Sequence, residues 1–206
     1  VPNLEDSIKN QSKILVVDFR IPMFDISAGE LATWGMLTDL VAVGFDVTYL
    51  PFDMKNIDEY SNKMHKNGIN VITREQGFND PFDYVLREGA QYETFYLIRV
   101  EIAEYLYSVI RTVVPEAKII FHAVDVYFIR ELREAILQNN REKYLSALLT
   151  KERELNIIKR ADLTVVVSEE EKRTLQELLP SAKILVFPAL YAEVANEVNL
   201  IFHISN

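Results

Sequence analysis

The sequence predicts an α/β domain: a doubly wound parallel sheet of about seven strands with helices on both faces. Three observations carry this. Short β-branched runs alternate with longer helical patterns along the whole chain. The runs are apolar at consecutive positions, as strands covered on both faces require, not at every second position. The chain has 206 residues, 49% hydrophobic and 26% charged, enough for one substantial core.

The strands are expected at Lys13–Asp18 (KILVVD), Phe45–Leu50, Ile69–Thr73, Thr94–Ile98, Lys118–Phe121, Leu163–Ser168 and Lys183–Phe187. Between them, Glu30–Val43 carries Leu31, Trp34, Leu37 and Val41 at three- and four-residue steps, and Gly44 follows as a C-cap. A helix capped by Asn56 is expected to end near Gly68, and another, Val100–Val114, stops at Pro115. Arg130–Leu137 and Arg141–Arg160 read as an amphipathic pair broken at Asn139-Asn140. Ser168 followed by Glu169, Glu170 and Glu171 is a capping-box start, with acidic groups in the first turn.

Composition removes several function classes. The net charge is −9, from 31 acidic and 22 basic residues, and no basic run with interleaved aromatics offsets it, so nucleic acid is not an expected partner. Cysteine is absent, which excludes disulfides, thiolate metal sites and thiol nucleophiles. Apolar stretches fall far short of the roughly 20 residues that span a bilayer. The start of the chain is polar and mixed in charge, unlike a signal peptide. A cytoplasmic place is expected, at most peripheral to the inner face of a membrane.

The first βα turn is where such folds approach phosphate or sugar. Here it is Phe19–Gly29 (FRIPMFDISAG), longer than the usual two to about six residues, with one glycine. Neither GxGxxG nor GxxxxGK[ST] occurs, so bound NAD(P) or a P-loop nucleotide is not expected. Gly29 is either a plain helix-entry residue or a point of ligand approach. Asp18 ends the first strand, but the carboxylate cluster and the lysine of a receiver domain do not accompany it. The Glu-x7-Glu spacings, such as Glu93/Glu101, are those that chance gives an acidic chain. No GxSxG elbow is present.

Of the three histidines, His65 lies in a polar helix and His203 stands apart; no HExxH pattern occurs, so no metal is expected. His122 follows the buried run KIIF, at a strand end that faces the ligand crevice in open α/β sheets. Asp125 is three residues on. A histidine–carboxylate pair there suits binding of sugar hydroxyls or proton transfer. The competing reading is a histidine satisfied by backbone at a strand end.

The order of KILVVD, Ser27-Ala28-Gly29, GELATWGMLTDLVAVGFDVTYLP, KIIFHAVDVYFIRE, RADLTVVVSEEEKRTL and KILVFPAL resembles the N-terminal, Rossmann-like domain of GT-B glycosyltransferases of the family 4 kind. The resemblance runs from Lys13 to Leu190. It implies a two-domain enzyme of polysaccharide biosynthesis, retaining and metal-independent. Its acceptor side is this domain, and the nucleotide-sugar donor is held mainly by a C-terminal partner domain. It implies that Ser27, Ala28 and Gly29 line the cleft, with Asp18 and Arg20 at its edge as further substrate-binding residues. His122 and Asp125 take catalytic positions facing the donor sugar or the acceptor, a saccharide or lipid-linked saccharide. Ala28 stands where many members have a second glycine, a departure that weakens close phosphate approach. On this reading residues 1–12 are an N-terminal extension and 13–190 the domain. Residues 191–206 are then a linker, with Asn199–Ser205 the opening strand of a missing donor domain; the alternative is an extra edge strand finishing this one. The rival readings are a non-catalytic binding or assembly module with a degenerate cleft, and a different small-molecule α/β enzyme.

Overall fold

The computed structural model describes residues 11–187. They form one seven-stranded sheet in the order β3-β2-β1-β4-β5-β6-β7, with every neighbouring pair parallel. The strands are β1 (Lys13–Asp18), β2 (Asp46–Pro51), β3 (Ile69–Val71), β4 (Thr94–Ile98), β5 (Lys118–His122), β6 (Leu163–Val166) and β7 (Ile184–Val186). The helices are α1 (Ala28–Ala42), α2 (Asp58–Lys66), α3 (Pro81–Glu88), α4 (Val100–Val113), α5 (Tyr127–Leu137), α6 (Arg141–Arg160) and α7 (Glu169–Leu178). The doubly wound, Rossmann-like sheet expected from the sequence is the one found.

Alternation along each strand divides the core in two. Ile14 and Val16 of β1 pack with Leu37 and Leu40 of α1 and Met64 of α2 on one face. Leu15 and Val17 pack with Ile102 and Leu106 of α4, Ile157 and Ile158 of α6 and Leu175 of α7 on the other. Both sets are buried, so β1 has no solvated face, and its unbroken apolar run follows from that. The chain leaves β1 towards β2, whereas β4 lies on the opposite flank. A crevice therefore opens between the C-terminal ends of β1 and β4, at the point where the winding reverses.

Several boundaries differ from expectation for local reasons. Asn56 does not cap α2: its Oδ1 accepts from Ser61 Oγ at 2.6 Å, its Nδ2 donates to Asp58, and Ile57 holds the cap position without a side-chain bond. The β6 strand ends at Val166, because Val167 N donates to Glu171 Oε2 and Ser168 is already the cap of α7. Helix α5 begins at Tyr127, three residues before the expected start, because Glu154 of α6 accepts from the N–H groups of Tyr127 and Phe128 at 3.0 and 2.9 Å. Helix α3 was not anticipated, although Asp80 caps it and Pro81 opens it. The expected strand Asn199–Ser205 and the proposed linker lie outside the described residues.

Candidate functional site

The loop from Asp18 to α1 is pinned by aromatic contacts. Phe24 packs 4.6 Å from the Trp34 ring and edge-on to Tyr60 at 5.2 Å, and Tyr60 Oη donates to Asp25 at 2.5 Å. Tyr49 Oη, from the buried interior of β2, donates to the Arg20 carbonyl at 2.6 Å. Ile21 is fully buried beneath. The length of the turn is thus taken up by packing, and its far end delivers Ser27 as the N-cap of α1. Ser27 Oγ accepts from Glu30 N and donates to the Glu30 carboxylate.

A cavity of about 420 Å³ lies over the crevice. Asp18, Arg20, Ser27 and Gly29, all singled out in the sequence, line it together with Phe19, Glu30, Phe52, Arg99 and Glu101. Ala28, the first residue of α1, sits between two of these. A Cβ built on Gly29 meets nothing within 4 Å, so the protein itself does not need glycine there. Arg20 is held by Glu30 at 2.7 Å.

Asp18 is 8% exposed, and its Oδ1 accepts from Phe19 N at 2.7 Å and from Arg99 Nε at 2.9 Å. Burial raises its carboxyl above the usual range, against the pull of the Arg99 charge. Arg99 was not foreseen. It directly follows β4 with φ +82° and ψ 147°, a region almost reserved for glycine, which costs about 1–3 kcal/mol. Its N–H donates to the His122 carbonyl and its carbonyl accepts from Ala103 N as α4 begins. No sequence pattern announces that conformation; only the position of Arg99 at a strand end pointed towards it.

The other two candidates sit apart. His122 ends β5 beside Ile98, and its Nδ1 shares a hydrogen bond with Tyr96 Oη at 3.1 Å. Nε2 is buried without a partner, and burial, aided by the Arg99 charge, pulls the imidazole down to about 4. Asp125 pairs with Arg130 and borders a smaller hollow with Arg133, Ser168 and Glu170. The two are therefore engaged separately and do not form the pair their spacing suggested. Among the described residues no group of three or more His, Asp or Glu is placed to hold a metal, and no helix is long and apolar enough to cross a membrane.

No protein-family model and no curated protein matches the chain. Among solved structures it is similar to sucrose-phosphate synthase from Thermosynechococcus elongatus, with a TM-score of 0.59 and 15% identity over 86% of this chain and 48% of that one. A second structure of that synthase superposes with a TM-score of 0.52 and 10% identity, over 94% of this chain and 97% of its own. The chain spans about half the length of the first. At such identities the likeness is one of fold, and the fold is the GT-B-like, Rossmann-like one.

Proposed function

We propose that the chain is the acceptor-side domain of a nucleotide-sugar-dependent glycosyltransferase of the family 4 kind. It acts with a donor-binding C-terminal domain on a saccharide or lipid-linked saccharide. The observation that carries this is the open cavity at the switch point, framed by the capped start of α1 and by the Asp18–Arg99 pair. The likeness in fold to a sucrose-phosphate synthase supports it. In this reading Ser27, Ala28 and Gly29 approach the transferring sugar, and Asp18 and Arg20 bind substrate. His122, held neutral, is a buried positioning group bonded to Tyr96 rather than a cation that touches the acceptor. Catalysis retains the anomeric configuration and uses no metal.

The degenerate-module alternative expects the cleft at Gly29, His122 and Asp125 to be filled by the protein's own side chains: space is open at Gly29, whereas His122 is buried and Asp125 is paired with Arg130. Isothermal titration of the chain with a panel of nucleotide sugars is the direct test. Weak or no donor binding is expected, and tight donor binding by this domain alone contradicts the division of labour. In the complete protein, an inverted product anomer by proton NMR overturns the retaining mechanism. Unchanged turnover in the His122→Ala variant removes that residue from the mechanism.

A further inference from the structure

The lining of the cavity narrows what it accepts. It carries two guanidiniums, Arg20 and Arg99, and three carboxylates, Asp18, Glu30 and Glu101. Arg20 is matched to Glu30 at 2.7 Å and Arg99 to Asp18 at 2.9 Å. The lining holds no surplus positive charge with which to receive a phosphate or a carboxylate, and Glu101 tips the balance negative. A strongly anionic sugar is disfavoured by that field.

The same lining is well furnished for hydroxyls. Both bonds to the buried Asp18 carboxylate, from Phe19 N and Arg99 Nε, fall on Oδ1. Oδ2 keeps its capacity to accept, and a neutral O–H is the donor that satisfies a desolvated carboxylate without adding charge. The Arg99 fork supplies donors beside it. Phe19, 56% exposed, and Phe52 add ring surface to the same wall. A pyranose presents hydroxyls along its edge and C–H groups on its face, which matches a carboxylate–guanidinium pair set beside aromatic rings.

We propose that this cavity is a subsite for an uncharged pyranoside with neighbouring hydroxyls, one donating to Asp18 and the next accepting from Arg99, and that it turns away sugars bearing carboxylate or phosphate. This rests on the saccharide-acceptor reading above and specifies its chemistry. The Arg99 Nε bond to Asp18 at 2.9 Å sets the guanidinium in place before any ligand arrives, so that little ordering remains to be done on binding.

The test is an NMR titration of the ¹⁵N-labelled whole chain. The probes are the methyl α-pyranosides of glucose, galactose and mannose, the uronate counterpart of each, and α-D-glucose 1-phosphate. At least one uncharged probe is expected to shift the Phe19 and Gly29 amides with a Kd roughly tenfold below those of the uronates and the phosphate. Asp18→Asn and Arg99→Gln are each expected to weaken it about tenfold. Equal or tighter binding of an anionic sugar overturns the proposal while leaving the acceptor reading in place. Unchanged binding in either variant overturns the assigned pair. Should a variant fail to fold, the wild-type ratio of neutral to anionic affinities decides by itself. No response at Gly29 to any saccharide sinks both this subsite and the acceptor reading.

Discussion

Gly29 and Arg99 sit on the same cavity under opposite constraints. A methyl group at position 29 meets no protein atom and lies in the first turn of α1, so Gly29→Ala is expected to leave stability unchanged or raise it by about 0.5–1 kcal/mol. The added methyl enters space a ligand would use, so saccharide binding should fall; urea denaturation beside titration separates the two effects. His122 offers a pH test. Its folded pKa of about 4 lies below the ordinary 6.5, so the unfolded chain binds the extra proton between those values. The stability it contributes is complete above pH 6.5 and is lost as pH falls towards 4. His122→Asn should flatten that part of the stability profile. Individual residues were the least legible level of the sequence. Asp18 and Gly29 were found through their place in a strand–turn–helix order. Arg99 was not, because a positive φ at a non-glycine residue leaves no trace in composition.

Some helix ends set by a short polar side chain were legible, although the Asp80 cap of α3 was not. Ser168 caps α7, and Asn139 and Asn140 break α5 from α6, the first at φ +47° and the second capping through Lys143 N. Ser168→Ala is expected to cost about 1 kcal/mol in denaturant midpoint measurements. Glu171→Ala should cost more, because its carboxylate accepts from Val126 N as well as Val167 N and so ties the loop before α5 to α7. Caps supplied from another element were not legible. Glu154, 2% exposed, opens α5 from the middle of α6, twenty-six residues away from Phe128. Burial lifts its carboxyl from 4.5 to about 7 against the pull of the two N–H groups. The folded state therefore binds the extra proton between those values, and this contribution to stability declines as pH rises through them. Glu154→Gln is expected to be less stable than wild type, with the gap narrowing from pH 4.5 to 7.5.

At the level of the whole molecule, seven apolar runs separated by helices were enough to read a doubly wound sheet, since helices on both faces leave no strand position free to be polar. The order of the strands follows from right-handed crossovers and one reversal, and that reversal places the cavity. What the runs did not carry was that His122 and Asp125 take different partners. A spacing of three residues says nothing about which neighbour each side chain meets once Tyr96 and Arg130 stand closer.

The Asp18–Arg99 pair also has a meaning for the history of the chain. A carboxylate taken out of water and an arginine forced into a glycine's backbone geometry are two separate losses to the folded state. Selection for stability alone would remove both at once, with glycine at 99 and an apolar residue at 18. A library screened only for heat resistance should converge there, and a library screened for ligand binding should not. The distance between those two outcomes measures how much folding energy the cavity has been allowed to consume.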